Sequence, residues 1–523
     1  MKRIALLPLA LLLLACAGPD GLLLKGAVLL SPDGPPRPAD LLIRGPYIAR
    51  VAPSIEAGAN DRMIDLEGAC VTAGFADAHG HLLGLGRALR EVDLRGTDSF
   101  DEVVDRVAAR AASVPPGQWI RGRGWDQNRW PEKAYPPHEA LSRAVPDHPV
   151  VLSRVDGHAL LANAAAMRLA GVDASTSDPA GGEIVRDASG LPTGVFVDNA
   201  EALIDQAVPE PGPEERRAVL LEAMDLLASL GITHFGDAGT DRATLETLFE
   251  LEREGRMKVR VNAMLPADDP ALLEEWFRRR PLRGPWITVA TVKAYADGAL
   301  GSRGAYLSRD YADRPGHRGF VVTPQADLAI LARRCSAAGF QLAVHAIGDA
   351  AVHLCLKAFA DAGARGQGFR LEHLQVVHPP DLALMKALGV TASMQPYHYV
   401  SDLPMLPDRL GDYPALLYPW RAMLDARIPL VFGTDCPVEA PGLREAFLAA
   451  VERRPDGLSP AEALGACTAA HARLLGEEAV RGRLAKGHFA DLTLFEQNFL
   501  TDPASLKVMG TVVNGRMTWW SRP

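Results

Sequence analysis

His79 and His81 close an apolar stretch, Gly74-Phe75-Ala76-Asp77-Ala78, with one glycine between them. Side chains alternate along a strand, so imidazoles at this spacing leave the same face a few Å apart, as neighbouring ligands of one metal ion must. In a chain with fourteen histidines, one such pair is weak evidence by itself. Four further residues change that: Lys293, His345, His373 and Asp435, each at the end of a later strand-like run. Imidazole and carboxylate groups together suit one or two divalent ions, zinc foremost. The lysine is the odd member. An ammonium beside two cations is repelled, so Lys293 must be neutral, displaced or converted to an anion; a carbamate formed with CO2 would offer two oxygens and bridge a metal pair. Singly, each residue has a bland role: a hydrogen-bonded rim histidine, a lysine reaching solvent, an aspartate capping the next helix.

The elements that must position these residues are legible. Strand-like runs end at His81 and recur at 231–236, 258–264, 287–293, 341–345, 369–373, 390–395 and 429–435, with helical patterns at 214–230, 242–254, 325–338 and 380–388 between them. Eight strands alternating with helices predict a parallel (β/α)8 barrel over 71–484, an α/β fold whose functional groups gather at the C-terminal ends of the strands. The interval 82–211 is too long for one connection. It reads as an inserted α/β subdomain after the first barrel strand, with helices at 100–112, 138–143 and 162–170 and strands at 119–123, 150–154 and 194–197. Loops of that size at an active face shape or cover the site. Residues 16–70 and 485–523 are rich in short strands and turns and predict a small β-sandwich domain built from both termini.

Met1-Lys2-Arg3, the apolar run 4–14 and Ala15-Cys16 read as a signal peptide over 1–15, too short to span a bilayer as a mature helix. Leu13-Leu14-Ala15-Cys16 resembles a lipoprotein processing site, which makes Cys16 a candidate lipidated N-terminus and the protein a secreted, membrane-anchored one. The net charge of −9, with no basic stripe, excludes an electrostatic footprint for nucleic acid. The remaining five cysteines are widely spaced in apolar segments and read as core residues, not as a disulfide framework or a cysteine zinc site.

Ala73-Gly74-Phe75-Ala76-Asp77-Ala78-His79-Gly80-His81, Lys293, His345, Glu372-His373 and Phe432-Gly433-Thr434-Asp435 together resemble the amidohydrolase superfamily. The branch is amidohydrolase family 3, which holds N-substituted formamide deformylase-like enzymes. Gly124-Trp125-Asp126, Arg154-Val155-Asp156-Gly157-His158, Asp297-Gly298 and Ser393-Met394-Gln395-Pro396 support it. Ala73-Gly74 stands where the branch commonly has Pro-Gly, a departure in the turn and not in the ligands. The resemblance implies that His79, His81 and Asp435 hold one zinc ion, that His345 and His373 hold a second, and that carboxylated Lys293 bridges them. Water made acidic by the ions would attack an N-acyl or N-formyl amine, Asp435 would carry its proton, and His158 would help stabilise the oxyanion.

Trp125, Asp126 and His158 in the insert are candidate substrate contacts, although Trp125 could equally pack the subdomain and Asp126 cap a turn. Asp297, Gln395 and His398, just past strand ends, would orient substrate or metal ligands. Asp77 and Glu372 are expected on the opposite faces of their strands. The same site would serve a cyclic amide or imide hydrolase, a deaminase or an esterase, and a non-catalytic anchored binding protein is the alternative of another class. The expected partner is a small-molecule substrate, with membrane contact by the lipid anchor only and a homodimer left open.

Overall fold

Eight short runs of Val, Ala, Leu, Thr and Phe are buried on both faces, the pattern of a parallel sheet covered by helices. They form β1 (Phe75–Gly80), β2 (Ile232–Ala238), β3 (Arg260–Pro266), β4 (Ile287–Tyr295), β5 (Gln341–Ala346), β6 (Arg370–His373), β7 (Thr391–Met394) and β8 (Leu430–Phe432). The computed structural model describes residues 21–522 except 156, 158, 180, 181, 210 and 211, and of residues 128 and 198 the backbone alone.

The strands pair in chain order, every pair parallel. The barrel closes through the chain just beyond β8. The Asp435 amide donates to the His79 carbonyl at 2.7 Å, and the His81 amide donates to the Cys436 carbonyl at 2.8 Å. Gly433 makes this seam possible, since a Cβ there would lie 2.7 Å from the His79 nitrogen. The helices Pro213–Ser229, Arg242–Arg253, Gln325–Ala338 and Asp381–Leu388 lie within a residue of their expected bounds. Pro213 begins the first of them and Asp241 caps the second by accepting from the Thr244 amide.

The two termini join in one hydrogen-bonded eight-stranded sheet. Cys70–Ala73 links its halves, pairing with Gly21–Ser31 on one side and Leu492–Phe495 on the other. Leu24, Leu41, Ile48, Val71, Leu494 and Val512, from both halves, share one buried cluster. The expected sandwich is therefore continuous through that strand. It is riveted to the barrel by Arg260 of β3, whose guanidinium donates to both Asp491 oxygens at 3.0–3.1 Å.

The insert after β1 carries a six-stranded mixed sheet with helices Phe100–Ala111, Glu139–Ala144 and Ala164–Ala170. Its strands Val92–Asp93, Ala159–Ala162 and Gly182–Arg186 went unread in the sequence, being very short or glycine-flanked. The five cysteines other than Cys16 are buried and free. Among the described residues no helix is long and apolar enough to cross a membrane. The segment with Cys16 lies outside the described residues.

Candidate functional site

The strand ends meet at the C-terminal mouth of the barrel around the carboxylate of Asp435. Its Oδ1 lies 3.1 Å from His81 Nε2 and 3.5 Å from His79 Nε2, and its Oδ2 lies 3.4 Å from His398 Nε2. Two groups of candidate ligand atoms result, His79/His81/Asp435 and His373/His398/Asp435. Their spacing fits a metal: four donors at about 2.1 Å from a tetrahedral ion stand roughly 3.4 Å apart. Asp435 belongs to both groups through different oxygens, as a residue joining two neighbouring ions would.

Backbone conformation at two strand ends makes this convergence possible. His373 and Asp435 have φ of +75° and +59°, a region costly for residues with a Cβ and held only where the surroundings dictate it. Strict alternation would send Glu372 and His373 to opposite faces. The left-handed turn at His373 lets both reach the centre.

Four imidazoles at the centre also have one nitrogen tied elsewhere. His79 Nδ1 donates to Glu372 Oε2 at 2.7 Å, His373 Nδ1 to Gln395 Oε1 at 2.8 Å, His398 Nδ1 to Glu439 Oε1 at 3.1 Å, and His345 Nε2 to the Gly298 carbonyl at 3.3 Å. On a neutral ring, as at His79, His345 and His373, such a partner fixes the tautomer and leaves the other nitrogen with a lone pair, the arrangement that metal-binding histidines need. Glu372 is fully buried and is itself paired with Arg370, Nε to Oε1 at 2.8 Å.

Charge follows from burial. His79 and His373 are held below their usual range and His345 down to about 3, burial being the main cause. These imidazoles are therefore neutral, as ligands must be. Burial would raise Glu372, but Arg370 and His79 outweigh it and hold the carboxyl down to about 2. Burial would likewise raise Asp435, and its hydrogen bonds with His398 and His81 hold it well below the carboxylate range. At His398 burial is overcome by the flanking carboxylates of Asp435 and Glu439, which push it up to about 10.

Lys293 is 1 % exposed, and its side chain makes no hydrogen bond or ion pair with a described residue. Its Nζ stands 3.9 Å from the centre of the Tyr295 ring. Burial brings it down to about 8 against the upward pull of Glu372 and Asp435.

His79, His81, Lys293, His345, His373 and Asp435 thus lie where the sequence places them, at the ends of β1, β4, β5, β6 and beyond β8. The remaining candidates divide. His398, expected to orient substrate, stands inside the second ligand group. It is carried there by a short helix, Pro396–Asp402, whose start the Gln395-Pro396 pair signals. Gln395 orients His373. Asp297 accepts the amides of Tyr306, Ile347 and Gly348 at 2.8–3.0 Å, pinning the loops after β4 and β5, with one oxygen 3.5 Å from His345 Nε2.

Two expectations need correction. Trp125 is 1 % exposed, stacks on Trp130 and donates to the Leu152 carbonyl, so it packs the insert's core instead of meeting substrate. Glu372 faces the centre and not the far side of its strand. Asp77, also buried, accepts the Thr434 amide and hydroxyl at 3.0 and 2.7 Å, tying β1 to the chain beyond β8. Asp126 is engaged within the insert by Arg154 at 2.7 Å. His158 lies outside the described residues.

The centre is thus that of a metal-dependent hydrolase, with two adjoining sites for divalent ions. Comparison with known proteins agrees. The chain is 31 % identical over 482 residues to YtcJ of Bacillus subtilis (strain 168), covering 87 % of this chain and 90 % of that one. It is 26 % identical over 517 residues to the N-substituted formamide deformylase of Arthrobacter pascens, covering 91 % and 94 %. The crystal structure of an uncharacterized metal-dependent hydrolase from Pyrococcus furiosus superimposes with a TM-score of 0.76 at 30 % identity, over 92 % of this chain and all of that one. A family model described as the amidohydrolase family matches residues 62–519, and the chain belongs to that family.

Proposed function

We propose that this protein hydrolyses the C–N bond of an N-acyl or N-formyl amine, using two zinc ions. The observation that carries the reading is the sharing of one carboxylate, Asp435, by two histidine groups at ligand spacing. The named activity of the Arthrobacter pascens relative supports the choice of bond.

Bound at these residues, divalent ions would supply Lewis acidity, making water acidic enough to attack at neutral pH and polarising the scissile carbonyl. The chain's own groups do the rest. Asp435, ionised and held between His81 and His398, is placed to take the proton of the attacking water and deliver it to the departing amine nitrogen. Glu372 and Gln395 hold His79 and His373 in single tautomers, and Glu439 fixes the ring of His398. Lys293 fits the bridging role as a carbamate. With its pKa brought to about 8, a fraction of the side chain is free amine at neutral pH. That amine's lone pair would add to CO2 and the nitrogen would release its proton to water, leaving an anionic carbamate. His345 and His373 would then complete the second site, His373 within the ligand group that also holds His398.

In this reading the leader 1–15 directs export and Cys16 is lipidated, which mass analysis of the mature N-terminus tests. The function is tested by a turnover screen of N-acyl amines, cyclic amides and esters with zinc-reconstituted protein, with Lys293→Ala as control. Hydrolysis of amides, lost in the control, is the expected result. Turnover of cyclic imides or esters alone, or of nothing despite full metal loading, would replace it.

A further inference from the structure

Between the insert and the loop after β8 runs a cleft of ≈ 120 Å³, walled by Arg95, Arg123 and Val155 on one side and Val438 and Glu439 on the other. One wall residue ties the cleft to the reaction centre: Glu439 accepts from His398, whose other nitrogen lies 3.4 Å from Asp435. The charged groups along this cleft are matched with one exception. Asp93 receives Arg95 in a two-pronged pair at 2.9 and 3.0 Å, Glu91 receives Arg121 at 3.1 Å, and Glu439 receives His398 and Ser401. Arg123 is partly buried on the strand Ile120–Trp125, and its guanidinium has no hydrogen bond or ion pair with any described residue.

The backbone keeps that guanidinium open. Gly124 has φ of +106°, and a Cβ there would meet Arg95 Cγ at 2.4 Å, so the glycine lets Arg95 fold down onto Asp93. On the other side Arg123 Nη2 overlies Gly157, 3.6 Å from where a Cβ would be. A guanidinium presents five donors in a planar fork matched to a carboxylate. Leaving such a group partly desolvated and unpaired costs free energy that a ligand carboxylate would recover.

We propose that Arg123 is an anion-recognition residue, receiving a carboxylate carried by the substrate some atoms from the scissile bond, so that the preferred substrates are acidic N-acyl amines of the N-acyl amino acid type. The inference rests on the amide-hydrolase reading for the identity of the scissile bond, but the anion site itself stands on the cleft.

The test uses two molecules of similar size, N-acetylglycine and the neutral N-propylacetamide. Equilibrium binding is read by calorimetry on the full chain freed of metal, and kcat/KM on the zinc-loaded enzyme. Wild type should bind the carboxylate about tenfold or more tightly than the neutral amide. Arg123→Gln should bind the two alike, with its Tm and circular dichroism at wild-type values. Arg123→Lys, which keeps the charge without the fork, should fall between and serves if the glutamine variant fails to fold. Equal binding of the two probes by wild type, or an unchanged preference in either folded variant, would overturn the proposal. Preferential binding of N-acetylglycine that disappears in Arg123→Gln, with neither amide turned over, would uphold the anion site and overturn the amide-hydrolase reading instead.

Discussion

His79 Nδ1 and Glu372 Oε2 lie 2.7 Å apart, joining the first and sixth strands of the barrel across its centre, with no solvent reaching either side chain. Behind Glu372 stands Arg370, equally buried. The arrangement spends a buried ion pair on the orientation of one imidazole. Removing only one partner of such a pair typically costs about 3–5 kcal/mol. Glu372→Ala should therefore lower unfolding stability by an amount of that order. The milder Glu372→Gln should weaken metal binding about 10–100-fold. Urea denaturation and chelator competition measure the two effects separately, and wild-type metal affinity in Glu372→Gln would show that the carboxylate does not orient the ligand.

Asp435 makes a second, sharper prediction. Asp435→Asn keeps the volume but loses the ability to take a proton and one anionic ligand shared by both sites. The expected loss in kcat is about 10²–10⁴-fold, together with reduced metal content by elemental analysis. Full activity in the variant would remove the proposed proton carrier.

Lys293 gives the clearest dependence on pH. Burial lowers its pKa from 10.5 to about 8 in the folded chain, so between those values the unfolded state binds the proton and the folded state does not. Stability of the metal-free protein from this group therefore rises as pH increases from about 8 to 10.5, by roughly 3 kcal/mol. Below about pH 8 both states are protonated and the cost of burying the ammonium is present in full. Lys293→Met should abolish that rise and be the more stable protein at pH 7. Parallel denaturation curves for the two proteins across this range would contradict it.

Chelation of the ions should abolish turnover and lower Tm, since ions bound at 100 times their Kd stabilise by about 2.7 kcal/mol. If Lys293 is carboxylated, recovery on adding zinc should be faster and more complete with bicarbonate present, and Lys293→Ala should recover no turnover with or without it. Recovery of wild-type turnover at equal rates with and without bicarbonate would count against the carbamate.

What the sequence makes legible depends on whether local periodicity survives into the fold. His79, Lys293 and His345 sit on strands and His81 directly follows one, so alternation is enough to bring them to the mouth of the barrel. Glu372 and His373 break the rule because of the left-handed turn at His373, which spacing does not reveal. His398 depends on the path of the helix after β7, a tertiary matter, although the Gln395-Pro396 helix start marks where the chain turns back. In the insert the helices are legible from their apolar periodicity, whereas the place of Trp125 in the core depends on its packing against Trp130, a contact that no readable pattern marks. The join between the terminal half-sheets rests on Cys70–Ala73, four buried residues that carry no signature of either domain.

The seam between β1 and β8 has a consequence for biosynthesis. His81 and Asp435 are 354 residues apart in the chain, and the hydrogen bonds that draw them together also shut the cylinder. A ribosome must therefore deliver nearly the whole polypeptide before any cation can be gripped by all of its ligands. Tight metal capture is thus a readout of completed folding, and a product truncated before Asp435 should emerge without it.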